Sequence, residues 1–126
     1  MKIYGIGSDI ISNERIKKSI KNKRFLNRVF TNEEIKIGNK TKNNFMYFSK
    51  RFAAKEAFVK ALGSGFRNNI NFNSIAILND NKGKPFIRCD KFLKKKLQIL
   101  TKKKNFNVLL SLSDEKDYSL AFVIIQ

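Results

Sequence analysis

Three side chains stand at positions where they could do chemistry together. Asp9 lies near the end of the apolar run Gly5-Ile6-Gly7-Ser8-Asp9-Ile10-Ile11. Glu56 and Lys60 stand in Arg51-Phe52-Ala53-Ala54-Lys55-Glu56-Ala57-Phe58-Val59-Lys60-Ala61-Leu62. Asp is disfavoured in strands, and a desolvated carboxylate is costly unless paired. Asp9 therefore either bonds neighbouring backbone N–H groups or holds a ligand. Phe52, Glu56 and Lys60 follow one another at i, i+4 and share a helix face. Ala53, Ala54 and Ala57 beside them let another backbone or a ligand come close. On spacing alone, an exposed Glu56–Lys60 pair worth roughly a few tenths of a kcal/mol is the simpler account. The alternative is that a strand-end Asp9 and a helical Glu56 hold one Mg²⁺ between them. Mg²⁺ commonly takes one or two protein carboxylates and fills its other positions with waters and substrate phosphates. Lys60 would then face those phosphates. Such a set suits phosphoryl or phosphodiester chemistry, where positioning and charge neutralisation carry most of the catalysis.

The elements that must position these groups can be read along the chain. Residues 2–11 read as a strand, with β-branched Ile3, Ile6, Ile10 and Ile11, and Gly5 and Gly7 permitting a bend or a close approach. Ser12 or Asn13 can cap a helix from Arg15 to about Arg28, with Ile16, Ile20 and Phe25 on its buried side. Thr31 and Glu34 form a capping box that opens a short helix to about Ile37, ended near Gly38. Phe45–Leu62 has the strongest helical composition, and Gly63 is a natural stop; Ser64-Gly65 extends the break. Ser74–Leu78 reads as a strand, Asn79-Asp80-Asn81-Lys82-Gly83 as a turn, and Pro85–Arg88 as an edge strand. Asp90 can cap a helix from Lys91 to about Leu100, and Val108–Ser113 with Tyr118–Ile125 form a hairpin. The pattern predicts one α+β domain over residues 1–126, with a mainly antiparallel sheet packed against the long helix.

Composition narrows the chemistry. The chain has 126 residues, 27 Lys and Arg, 10 Asp and Glu, no His and one Cys. A Cys/His zinc site and Ser-His or Cys-His catalytic pairs are excluded, as is a disulfide within the chain. Any metal must rest on oxygen ligands. No apolar run approaches the ~20 residues that span a bilayer, and the N-terminus lacks a signal-peptide pattern, so a cytoplasmic protein is expected. The formal charge of +17 attracts polyanions but says little about fold. Nucleic acid, an anionic membrane surface and an acidic protein all fit it. Two clusters stand out. Arg15, Lys17, Lys18, Lys21, Lys23, Arg24 and Arg28 are opposed only by Glu14, and seven Lys lie between Lys91 and Lys104 with no acid among them. The first cluster holds three of the six Arg, the better bidentate partner of carboxylate and phosphate, and reads as a docking surface. The second reads as a solvated face as readily as a functional one.

The residues also resemble a known family. Gly5-Ile6-Gly7-Ser8-Asp9-Ile10-Ile11, Glu14-Arg15-Ile16, Phe30-Thr31-Asn32-Glu33-Glu34-Ile35, the helix Arg51–Gly63, Asn79-Asp80-Asn81-Lys82-Gly83-Lys84-Pro85 and Leu110-Ser111-Leu112-Ser113-Asp114-Glu115 occur in order. Together they resemble the holo-acyl-carrier-protein synthases, the short bacterial branch of the 4′-phosphopantetheinyl transferases. The resemblance spans essentially the whole chain. It implies transfer of the 4′-phosphopantetheine arm of coenzyme A to a Ser of apo-acyl carrier protein, with release of adenosine 3′,5′-bisphosphate, in support of fatty acid biosynthesis. It implies Mg²⁺ on Asp9 and Glu56, and Lys60 on the coenzyme A phosphates. The Ser proton would pass to Glu56 or to a metal-bound water. Phe52 and Gly83-Lys84-Pro85 resemble parts of the coenzyme A pocket. Arg15, extended by Lys21 and Arg24, matches the helix that docks the acidic carrier. A homotrimer with active sites between subunits is implied, and neither nucleic acid nor membrane is an expected partner. Asp114 stands where many members carry His. The rival readings, a nucleic-acid-binding module and a non-catalytic scaffold for an acidic protein, leave Asp9 and the Glu56–Lys60 helix without a task.

Overall fold

The computed structural model describes residues 2–63 and 70–126. The Ser64-Gly65 break lies outside the described residues. Strand β1 (Gly5–Ser12) leads into helices α1 (Asn13–Ser19), α2 (Lys23–Val29), α3 (Asn32–Asn39) and α4 (Asn44–Leu62). A short 3₁₀ turn (Phe72–Ser74) precedes β2 (Ile75–Asn79) and β3 (Pro85–Cys89), followed by α5 (Lys91–Thr101) and the strands β4 (Val108–Asp114) and β5 (Tyr118–Ile125). All strand pairs are antiparallel, in two sheets: a three-stranded one in the order β1-β5-β4 and the β2-β3 hairpin.

The expected basic helix from Arg15 to Arg28 is in fact two helices. Asn22 is the reason: it adopts extended backbone and its side chain accepts from the N–H groups of Arg24 and Phe25, capping α2. An Asn that caps its own downstream N–H groups competes with continuation of the helix. Ser12, rather than Asn13, caps α1. Asn13 is buried and ties the helix start to the β4–β5 turn, donating to the carbonyls of Glu115 and Lys116 and accepting from Ser119. The Thr31/Glu34 capping box is present, and Asp90 caps α5 by accepting from the N–H of Leu93.

The inner face of the three-stranded sheet rests on α4. Along β1 the inward residues are Gly5, Gly7, Asp9 and Ile11, and β5 contributes buried Ser119, Ala121, Val123 and Ile125. The contact is close because both sides lack bulk. A Cβ on Gly5 would sit 1.9 Å from the Ala61 carbonyl oxygen, and one on Gly7 would sit 1.9 Å from that of Ala57. Only glycine lets the strand backbone lie on the helix backbone here. Ala53, Ala54, Ala57 and Ala61 are all buried in the seam and the surrounding core. Beyond α4, the aromatic side chains of Phe25, Phe30, Phe48, Phe52 and Phe72 stack edge-on and tilted on one another, joining α2 and the 3₁₀ turn to the helix.

Candidate active site

The seam decides where Asp9 goes. Two inward positions of β1 are glycines locked against α4, and the next inward position presents Asp9 to the same helix. Its side chain is only 15 % exposed and lies 3.1 Å from the Lys60 ammonium, which also donates to the Ser8 carbonyl at 3.0 Å. Lys60 thus bridges to β1, and the exposed Glu56–Lys60 pair suggested by spacing is replaced by a Lys60–Asp9 pair. Glu56, half-buried one turn earlier, has its pKa raised, first by burial and then by the negative charge of Asp9; Lys60 and Arg15 pull it the other way. Asp9, Glu56, Lys60 and Arg15 therefore share one electrostatic neighbourhood.

The two carboxylates fit a hard divalent cation. Both offer oxygen ligands, both are partly desolvated, and their mutual repulsion is the kind that a cation relieves. Among the described residues no three His, Cys, Asp or Glu side chains converge. The donor set therefore matches a cation that shares its coordination with waters and substrate rather than one caged by protein.

Glu56 opens onto a cleft of about 460 Å³ shared with Phe25, Arg28, Val29, Phe52 and Phe72. Phe52 is thus placed beside Glu56, as the shared helix face requires. Gly83 and Pro85 are elsewhere, on a separate cleft of about 410 Å³ with Lys50, Arg51, Asn79 and Asp114. The turn itself is well held. Asp80 accepts from the N–H groups of Lys82 and Lys84, Asn79 donates to the Gly83 carbonyl, and Gly83 takes a positive φ of 84°. Arg51 reaches from α4 to donate to the Asn79 side chain. Asp114 pairs with Lys50 at 3.0 Å. Within one chain, then, Phe52 and the Gly83-Lys84-Pro85 turn do not line one pocket. Arg15 stands on α1, Lys21 in the bend and Arg24 in the first turn of α2.

Sequence reasoning missed the partner of Glu34. Beyond its capping role, Glu34 is fully buried and accepts from Lys55 at 2.5 Å and from the Ile77 N–H at 2.9 Å. Lys55 also donates to the carbonyls of Val29 and Phe72, both of which line the Glu56 cleft. Burial brings the Lys55 ammonium down to about 8, against the opposing pull of Glu34. The only signal was adjacency: Lys55 precedes Glu56, and the helix turns the two to different sides.

These features agree with what the chain resembles. A family model described as the 4′-phosphopantetheinyl transferase superfamily matches residues 5–123, and the chain belongs to that superfamily. Holo-[acyl-carrier-protein] synthase of Pelagibacter ubique is 54 % identical over 127 residues, spanning all of this chain and 98 % of that protein. The crystal structure of holo-[acyl-carrier-protein] synthase from Neisseria meningitidis superposes with a TM-score of 0.89 at 41 % identity, over 99 % of each chain. The Bacillus anthracis holo-(acyl-carrier-protein) synthase, solved in complex with CoA (3′,5′-ADP), superposes with a TM-score of 0.80 at 32 % identity, over 98 % of this chain and 96 % of that one.

Proposed function

We propose that the protein transfers 4′-phosphopantetheine from coenzyme A to a Ser of apo-acyl carrier protein, with Mg²⁺, in support of fatty acid biosynthesis in the cytoplasm. The observation that carries this reading is the convergence of Asp9, Glu56 and Lys60 across the β1–α4 seam, in a chain similar throughout to named holo-[acyl-carrier-protein] synthases. The coenzyme A complex of the Bacillus anthracis protein supports the choice of donor.

Asp9 and Glu56 would hold the Mg²⁺, which when bound neutralises charge on the coenzyme A pyrophosphate. Around it each residue has a task. The carrier Ser oxygen attacks the phosphorus nearer the pantetheine arm, and the bond from that phosphorus to the bridging oxygen breaks. Glu56 would receive the Ser proton as general base. Lys60 faces the charge left on the departing adenosine 3′,5′-bisphosphate. Phe52 borders the cleft beside Glu56. Arg15, whose charge acts on Glu56, would with Lys21 and Arg24 on the bend and helix that follow offer a basic surface to which an acidic carrier is steered.

The separation of the two clefts supports a homotrimer in which Gly83, Lys84 and Pro85 of one copy complete the coenzyme A pocket of the next. A second observation favours assembly. The outer face of the three-stranded sheet exposes Ile6, Ile10, Leu109, Leu120 and Phe122, in register across β1, β5 and β4. That is an apolar face with no covering element among the described residues. Ile10→Asp with Phe122→Asp is expected to yield monomers with little transfer activity. Light scattering on the eluting species is the check, and a double variant that keeps the parent mass would rule this interface out.

The decisive assay is direct. The protein is mixed with apo-acyl carrier protein, coenzyme A and Mg²⁺, and the carrier is weighed. The carrier is expected to gain the phosphopantetheine mass, and EDTA is expected to abolish the gain. A folded preparation that adds no mass refutes the proposal, and a gain indifferent to EDTA refutes its metal component.

A further inference from the structure

One charged surface takes no part in the chemistry above. Helix α5 buries Leu93, Leu97 and Thr101 and turns its other side outward. On that side stand Phe92 and Ile99, 71 % and 75 % exposed, the two most exposed large apolar side chains among the described residues. Seven positions apart, they lie on one helix face, nearly two full turns from each other. Lysines flank them: Lys91, Lys95 and Lys96 on the helix, and Lys102, Lys103 and Lys104 just past it, while Lys94 turns toward β3. Lys96 leans over the Phe92 ring, its ammonium 5.7 Å from the centroid. Among the described residues none of these seven lysines enters an ion pair. Their charge is not neutralised within the chain.

We propose that this face of α5 docks on an anionic lipid bilayer as a peripheral contact, with Phe92 and Ile99 entering the headgroup–acyl boundary and the lysines lying on anionic headgroups. Two apolar side chains held proud of a ring of lysines match such a boundary, where apolar tips enter and cationic ends remain with the phosphates. The lysine stems are long enough to reach back to the headgroups while the two apolar groups insert. Each lysine near an anionic surface adds a comparable increment of attraction. Nucleic acid fits less well, because Ile99 has no aromatic face on which a base can stack. An acidic protein would engage the charge but not require the two apolar side chains. No helix among the described residues is long and apolar enough to cross a membrane, so the contact is with the surface. A surface contact of this kind departs from the expectation of no membrane partner.

Vesicle co-sedimentation at physiological ionic strength tests it, using phosphatidylcholine alone and phosphatidylcholine with phosphatidylglycerol at roughly three to one. The full chain is expected to bind only the anionic vesicles. Lys91→Gln/Lys95→Gln/Lys96→Gln should weaken binding on the order of a hundredfold. Phe92→Gln/Ile99→Gln, which leaves the charge unaltered, should weaken it roughly tenfold. A charge-matched control on exposed positions of another surface, Lys36→Gln/Lys40→Gln/Lys42→Gln, should stay within about threefold of the parent. Circular dichroism and phosphopantetheine transfer to free carrier verify that each variant is folded. The proposal is overturned by absence of binding to the anionic vesicles. Equal losses in the α5 triple and the control overturn it too, since they indicate diffuse charge alone. So does parental binding by the Phe92/Ile99 variant, and so does a short RNA whose binding depends on Phe92 and Ile99 as strongly as the vesicles' does.

Discussion

Lys55→Met is expected to remove about 3–5 kcal/mol of folding stability, because it strands the fully buried Glu34 carboxylate without its cationic partner. Both side chains are fully buried. Glu34 spends one oxygen on the Thr31 N–H and Lys55 and the other on the Ile77 N–H, and Lys55 spends its three protons on Glu34, Val29 and Phe72. The pair joins the end of α2, the start of α3, the middle of α4, the 3₁₀ turn and β2. Removal of one partner leaves a buried charge and two carbonyls with one donor fewer, each a known source of large losses. Glu34→Gln/Lys55→Met removes both charges and keeps an oxygen for one of the two backbone N–H groups, with its amide NH2 turned toward the other. It should recover a substantial part of the loss, and the coupling in the double-mutant cycle should exceed about 1 kcal/mol. Urea denaturation of the parent, both single variants and the double variant measures this. A single-variant loss below about 1 kcal/mol would show that the carboxylate relaxes to solvent or takes up a proton at little cost.

Asp9→Ala is expected to reduce phosphopantetheine transfer roughly a thousandfold or more while leaving the fold intact. The side chain bears on the site in two ways: as one of two carboxylates suited to the cation, and as the acceptor that draws Lys60 toward β1. Its loss removes both and relieves the repulsion that helps raise the Glu56 pKa. Docking of the carrier, proposed to rest on Arg15, Lys21 and Arg24 in α1, the bend and α2, should persist. Single-turnover mass measurement gives the rate, and the shift of the carrier's amide resonances on titration reports docking. A variant within tenfold of the parent rate would remove Asp9 from the metal site.

The parts of this architecture that depend on near neighbours are legible in the chain. The Thr31/Glu34 box, the Asp90 cap, the Gly63 stop and the face shared by Phe52, Glu56 and Lys60 all rest on spacings of a few residues. The small residues around Glu56 and the glycines before Asp9 each announced a close approach; that they approach one another is a tertiary fact. Two features were hidden for physical reasons. The Arg15–Arg28 segment is mostly helix-forming, and Asn22 and Asn27 look alike in sequence, though Asn22 caps a new helix and Asn27 lies within it. The Glu34–Lys55 pair joins residues that are 21 apart, and Glu34 reaches Ile77 at 43 apart. A first-turn Glu and a Lys amid helical neighbours look the same in sequence whether they face solvent or each other.

The glycine–alanine seam has a mechanical consequence. Side chains hop between rotamers and yield under load, but peptide units in direct contact do neither at comparable cost. With Gly5 on Ala61 and Gly7 on Ala57, the distance between the strand and helix axes is set by main-chain atoms alone. Asp9 and Glu56 ride on those two axes. Substitutions elsewhere in the core can soften the protein, yet the two backbones that carry Asp9 and Glu56 have little slack to lose in their separation.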